Sequence, residues 1–237
     1  MHHDCPPLLI DRSACDAEAA IWFAEPAGFT ALPLGALLNA PESFEGEALR
    51  TALATVLGTA PDELSRQRFL GHFGATQQIL ATLCEMGTVY CAIGLHLDDA
   101  RVDGDRHLDE NRTEAGSAHR TLLSLLTLSW RDIAVAPPTV TAARAVASDE
   151  GDVLTGLEYI ADASCGPVSL CETVRNPAAV TGLAANRLLQ IHAHLPHPDG
   201  RRLAVLTLST QAVHRRDDYR RMLRGSVDLV SFVDPFT

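Results

Sequence analysis

The carboxy-terminal part of the chain constrains the fold more than any other segment. Residues 188–195 alternate apolar and polar side chains, the turn Pro198-Asp199-Gly200 follows, and residues 203–209 (LAVLTLS) are almost wholly apolar. Two such runs around a turn predict a β-hairpin, and the second run is apolar enough for a buried strand. An arginine-rich stretch with apolar residues at helical spacing comes next, so we expect a closing amphipathic helix that packs on the sheet. A hairpin followed by such a helix indicates an α+β protein.

Strand and helix patterns also alternate upstream of this hairpin. Strand-like runs occupy 20–24, 29–34, 88–96, 121–130, 153–160 and 167–174. Helix starts occur at 41–43 and at Pro61, with shorter helical patterns at 139–148 and 177–185. The first two helices should form an antiparallel pair. We therefore predict an antiparallel sheet flanked by helices, and two related halves are an open alternative.

A charged, glycine-containing stretch at 148–152 is the best candidate for a domain boundary. It would separate an N-terminal α+β part with the helix pair, residues 1–150, from C-terminal strands and the closing helix, residues 151–237. One continuous domain is the alternative, because 237 residues suit either one large domain or two small ones.

Net charge argues against two classes of partner. The formal charge is −11, which disfavours nonspecific binding to nucleic acid or to anionic lipid. Residues 198–237 nevertheless hold 7 Arg against 5 Asp, so the rest of the chain carries −13. The acidic body and the basic tail can complement each other within one molecule or between two.

The cysteine pattern, together with the lack of a signal peptide or a membrane-spanning segment, indicates a cytosolic protein. The 6 cysteines show no paired C-x-x-C spacing, and Cys84 and Cys91 fall where a thiol acts as a small apolar side chain. Cys165 and Cys171 would pair only in an oxidising compartment. The chain starts without signal-peptide features and has no apolar run long enough to cross a membrane.

A His-x-His pair in the first hairpin strand is the main candidate metal site. His192 and His194 share one strand face, opposite Leu189 and Ile191. Two imidazoles on one face are suitable zinc ligands. A third ligand would come from His197, His96, Asp98 or Asp99. The alternative is a pair of solvent-facing histidines beside a polar turn.

The acidic loop 99–110 has a partial calcium-binding register. Asp99, Asp103, Gly104, Asp105 and Glu110 occupy positions of an EF-hand-like pattern. Arginine stands at two positions of that pattern, and a strand precedes the loop where an EF-hand has a helix. A solvated connection with a turn at Asp103-Gly104 explains the composition equally well.

The arginines of the closing helix are the main candidate recognition surface. Arg216, Arg220 and Arg224 are spaced i, i+4, i+8, and Arg215 and Arg221 flank them. Tyr219, Met222, Leu223, Val227 and Val230 occupy the opposite side and should lie on the sheet. The arginine stripe suits an acidic partner, so reversal of Arg216, Arg220 and Arg224 to Glu should abolish partner capture and leave the melting temperature nearly unchanged. The alternative is a solvated face balanced by Asp217 and Asp218.

Two segments carry a resemblance to a known family. Residues 202–210 (RLAVLTLST) before the closing helix, and residues 87–95 (GTVYCAIGL) after a long helix, resemble uncharacterised proteins of high-GC bacteria. The closing half of those proteins is similar to the PsbP-like α+β fold, an antiparallel sheet flanked by helices. The resemblance implies a protein that acts by binding, as in small lipoproteins and secretion accessory proteins. This chain lacks the lipobox-like cysteine of the lipoprotein branch.

Function follows from these patterns only as a set of hypotheses. The common nucleophile, phosphate-loop, dinucleotide and zinc-protease motifs do not occur. The leading hypothesis is a non-enzymatic cytosolic accessory protein that acts through a protein interface. The alternatives are a zinc-dependent hydrolase or metal-binding protein that uses His192 and His194, and a self-associating structural protein.

Overall fold

The protein is described by a computed structural model that covers residues 21–36, 43–60, 62–67, 69–70, 83–98, 120–147, 154–175 and 187–233. The strands are β1 (Phe29–Ala31), β2 (Thr88–Asp98), β3 (Arg120–Asp132), β4 (Leu154–Ala163), β5 (Gly166–Arg175), β6 (Leu188–Pro196) and β7 (Arg202–Thr210). The helices are α1 (Phe44–Gly58), α2 (Pro138–Ala147) and α3 (Arg216–Asp228), with 3-10 turns at Leu34–Ala36 and Val213–Arg215.

All seven strands form one antiparallel sheet in the order β1-β2-β3-β7-β6-β5-β4. The predicted α+β fold, an antiparallel sheet with flanking helices, is confirmed. More of the regular structure is strand than helix. The β6–β7 hairpin lies inside the sheet, because β7 also pairs with β3 through contacts such as Leu126 opposite Leu208. Strands from both sides of the predicted boundary at 148–152 therefore belong to one sheet, while 148–152 itself lies outside the described residues.

The hairpin turn forms at the predicted residues. Gly200 has φ 69°, and a Cβ there would lie 2.7 Å from the carbonyl oxygen of Ala136, so glycine suits both the backbone and the close approach. Asp199 accepts hydrogen bonds from the amides of Arg201 (2.7 Å) and Arg202 (3.2 Å). Burial opposes ionisation of this carboxyl, but the bond from the Arg201 amide, a side-chain bond from Arg202 and the neighbouring His197 lower its pKa to about 2. The turn is therefore held by its close packing against Ala136 and by the hydrogen bonds of Asp199.

One face of the sheet is apolar and is covered by α3. The even-numbered residues of β7, including Leu206 and Leu208, are buried there together with the odd-numbered apolar residues of β6. From the helix side, Tyr219, Leu223 and Val227 are buried and Met222 is partly buried. The predicted inner side of the closing helix is confirmed, and this layer is the main core of the protein.

The opposite face is covered by helices at its two ends. Near β2, an apolar cluster joins α1 to the sheet through residues such as Leu49, Val56, Phe69 and Ile93. Ser43 begins α1 as predicted, since its hydroxyl accepts a hydrogen bond of 3.0 Å from the amide of Gly46. Near β5, the carbonyl of Ala142 in α2 accepts a 2.7 Å hydrogen bond from the Ser169 hydroxyl.

Several local predictions differ from the structure or lie outside it. In the described part of the expected strand 20–24, residues 21–24, only Trp22 is paired, by an isolated bridge with Ser231. The first helix ends at Gly58, and Thr59 is its C-cap residue. Three predicted features fall outside the described residues. They are the loop 99–110 with its partial calcium register, the short helix 177–185 and most of the second helix.

A bridge between Cys165 and Cys171 is incompatible with the structure. Both side chains are thiols. Cys165 precedes β5 and Cys171 lies within it, so about 20 Å of extended chain separates their Cα atoms. A disulfide needs Cα atoms within about 7 Å. Burial raises the pKa of Cys165 to about 11, against a smaller lowering by a backbone hydrogen bond.

The central hairpin should carry much of the stability. Leu208 is fully buried, so Leu208→Ala is expected to lower the free energy of unfolding by about 2–5 kcal/mol through lost burial and a residual cavity. Leu64 is 55% exposed and provides a matched control. Leu64→Ala should change the free energy of unfolding by less than about 0.5 kcal/mol. Urea unfolding measures both values. Similar losses for the two variants would contradict the assigned core.

Candidate binding site

The centre of the face opposite α3 is polar. Strand alternation turns Leu189 and Ile191 toward α3 and places His192 and His194 on the other face, as predicted. Nδ1 of His192 lies 2.9 Å from the Thr207 hydroxyl on the neighbouring strand. Four more residues extend this surface across β5, β6, β7 and β3: Thr127, Cys171, Gln190 and Ser209. A row of polar groups that is partly covered by helices is a common setting for ligand binding.

His194 forms a close pair with a cysteine of the next strand. Its Nε2 lies 3.1 Å from Sγ of Cys171, and both side chains are buried, at 8% and 1% exposure. Sequence reasoning did not pair them, because Cys171 reads as an apolar strand residue. Only the register, which sets Cys171 opposite His192, brings the thiol to the imidazole.

The His194 ring is neutral at physiological pH. Burial, His192 and the guanidinium of Arg131 together lower its pKa to about 4. An imidazole of this basicity is far too weak to remove a proton from an ordinary thiol, whose pKa is about 8.5. The Cys171–His194 contact therefore joins a neutral imidazole to a buried sulfur.

Two of the expected third metal ligands, His197 and His96, lie elsewhere, while Asp99 and the side chain of Asp98 fall outside the described part of the chain. His197 packs against Trp130 and Phe232 at the hairpin end, with Nδ1 2.9 Å from Asp199. His96 lies on the α3 side of the sheet, where its ring is 6.0 Å from that of Tyr219. Within the described ranges, no three His, Cys, Asp or Glu side chains converge on a point where a metal ion would fit.

A pocket of about 320 Å³ opens beside His194. It lies between α2, the end of β3 and the loop that joins them. Arg131 contributes from the sheet and Arg144 from the helix, so two guanidinium groups line different walls. The remaining lining residues are Asp132, Ile133, Ala134, Ala136, Thr141, Ala145, His194 and Leu203. Sequence reasoning missed this pocket, since Arg131 and Arg144 share no motif and meet only through the fold.

The arginine row of α3 lies along the seam between the helix and strands β4 and β5. Arg216 contacts Glu172 at 3.1 Å, and Arg220 contacts Glu158 at 3.0 Å. Arg224 pairs with the same Glu158. The basic tail thus complements acidic residues of its own molecule, and the row is only partly exposed rather than fully solvated.

The two flanking arginines are bound within α3 itself. Arg215 and Arg221 pair with Asp218 at 3.2 and 2.7 Å. Of the five arginines, Arg221 is the most exposed, at 77% of its side chain. Reversal of Arg216, Arg220 and Arg224 would set glutamates against Glu158 and Glu172, so it should lower the melting temperature, unlike reversal on a solvated face.

Comparisons with known proteins add no family. No protein-family profile matches the chain, and no curated protein sequence matches it. No described helix has the length and apolarity that a membrane crossing requires.

The Arg216–Glu172 pair gives a test of this seam. Glu172 is 2% exposed, so Arg216→Met, which keeps the alkyl stem, should leave a buried carboxylate without its cation. The expected loss in free energy of unfolding is about 2 kcal/mol. Arg221→Met removes an exposed charge from the same helix and should cost less than about 0.5 kcal/mol. Chemical denaturation that gives equal losses would contradict the assigned pairing.

His194 makes stability depend on pH in a defined window. Its folded pKa of about 4 lies below the unfolded value of about 6.5. The unfolded chain therefore binds the proton first, and stability that is complete above about pH 6.5 is lost as the pH falls toward 4. The unaltered protein loses free energy of unfolding when the pH falls from 7 to 4.5, and His194→Gln should make this loss smaller by about 2 kcal/mol.

Urea unfolding at the two pH values measures this difference. The exposed His214→Gln variant is the matched control and should follow the unaltered protein. An acid loss that is the same in the His194→Gln variant and the unaltered protein would show that the ring is not held neutral by burial.

Proposed function

We propose that this chain is a non-enzymatic binding protein that acts through a protein interface at strand β4. The observation that carries the proposal is an edge strand of ten residues whose only pairing among the described residues is with β5. The outer side of such a strand presents N–H and C=O groups that can pair with an extended segment of another chain. The opposite edge differs, since β1 covers part of β2.

The two faces of β4 offer different side chains to such a segment. Leu157 and Tyr159 lie opposite Cys171 and Ser169 in the register, hence on the α2 side of the sheet. They are 51% and 48% exposed, which is unusual for large apolar residues in the middle of a strand. Exposed apolar groups beside an unpaired edge are typical of contact surfaces.

The other face of β4 lies against the arginine row of α3. Glu158 binds Arg220 and Arg224 there, and a guanidinium has five N–H donors, more than these contacts use. An added strand alternates its side chains between the two faces. The preferred partner is therefore an extended segment in which acidic residues meet the arginine row and apolar residues meet Leu157 and Tyr159.

A peptide of alternating glutamate and valine is a suitable probe. We expect it to bind, and the double variant Leu157→Lys/Tyr159→Lys should weaken the affinity by at least about tenfold, because tyrosine and leucine contacts are replaced by charges. Val135→Lys, at a loop residue that is 75% exposed, is the control and should bind normally. Fluorescence anisotropy measures the affinities.

The competing interpretations give different results in the same experiment. Peptide affinity that is unchanged by the double variant would remove β4 as the interface. A peptide that does not bind, together with a dimer in light scattering that the double variant abolishes, would indicate that two copies pair along this edge instead.

A zinc-dependent hydrolase or metal-binding protein is the second candidate. It is supported by the 3.1 Å approach of Cys171 Sγ to His194 Nε2, two donor types that zinc binds, with His192 on the same face. Elemental analysis of protein purified without a polyhistidine tag decides between the two. Stoichiometric zinc that is lost in His192→Ala would favour this candidate, and metal-free protein would exclude it.

A further inference from the structure

We propose that the pocket beside His194 binds a small organic anion, with a carboxylate or phosphate head group and a short apolar body. The pocket is formed by α2, the end of β3 and the adjoining loop. It shares no lining residue with the β4 interface, so the two proposals are tested independently.

The positive groups of the pocket come from two separate elements. Arg131 extends from β3 and Arg144 from α2, while Asp132 is the only acidic residue among the described lining residues. Two guanidinium groups are thus brought to one cavity of a chain whose formal charge is −11. Guanidinium groups bind carboxylates and phosphates through paired N–H bonds, which gives geometric selectivity for such head groups.

His194 contributes a buried imidazole to the pocket wall. The residue is 8% exposed, and among the described residues its Nδ1 has no hydrogen-bond partner. Its Nε2 lies 3.1 Å from the Cys171 sulfur, which also approaches the His192 carbonyl oxygen at 3.9 Å. Because burial keeps this ring neutral, it does not add a negative charge that would oppose an anion.

Size and polarity of the remaining wall define the body of the ligand. About 320 Å³ is near the lower limit for small-molecule pockets. Ile133, Ala134 and Leu203 provide apolar surface, which suits a short alkyl chain. Asp132 disfavours a second negative group on the ligand. The chemistry therefore indicates an alkyl chain with one anionic head group, a carboxylate or a phosphate monoester, rather than a ligand with two separate anionic groups.

Calorimetric titration of the full chain at low salt tests this proposal with four probes: hexanoate, hexyl phosphate, inorganic phosphate and hexanol. At least one of the two organic anions should bind, and hexanol should not. Arg131→Gln and Arg144→Gln should each weaken that binding at least about tenfold. Arg50→Gln, at an exposed arginine of α1, removes a cation far from the pocket and should leave the affinity unchanged.

Two further measurements use the unaltered protein and therefore test the proposal even if a variant fails to fold. In the unaltered protein, the affinity should fall as salt is raised, and the ring resonances of His194, which lines the pocket, should shift on addition of the anion. Failure of both organic anions to bind would overturn the proposal, as would equal binding by hexanol. Binding of inorganic phosphate as tightly as hexyl phosphate would overturn the requirement for an apolar body. Affinities that are unchanged by both pocket substitutions would place the anion elsewhere.

Discussion

Burial of the apolar face of the β6–β7 hairpin beneath α3 determines the arrangement of the other parts. Leu206 and Leu208 meet Leu223 and Val227 in one layer from which water is excluded. A one-residue slip of β6 would send its apolar set to the other face, so this burial fixes the register. The same register turns His192 and His194 away from α3. The orientation of α3 on this layer also directs its arginines toward Glu158 and Glu172.

The interpretation of the arginine row changes most between sequence and structure. The i, i+4, i+8 spacing correctly locates Arg216, Arg220 and Arg224 on one side of a helix. Spacing alone cannot reveal Glu158 and Glu172, which lie more than forty residues earlier and reach the helix only through the sheet. Carboxylates that are distant in the sequence make the row part of the folded structure. Its remaining donors are available at the edge of β4, where the proposed interface lies.

Local patterns predicted the elements better than they predicted the site. Alternation in β6, the turn at Gly200 and the cap at Ser43 depend on neighbouring residues and were foreseen. The Cys171–His194 contact and the pocket between Arg131 and Arg144 depend on strand order and helix placement, which no local pattern encodes. The metal hypothesis likewise placed its first two histidines on one face, whereas His197 and His96 pack with aromatic rings on the other side.

Amide hydrogen exchange most directly tests the central claim, which is a closed apolar layer beside an edge of β4 that no described strand pairs. Amides of β6 and β7 should exchange slowest, because both strands are paired on two sides and covered by α3. Along β4, slow exchange should alternate with fast exchange, since only every second amide points toward β5. Uniform protection along β4 would contradict the account, because its outer edge would then be covered.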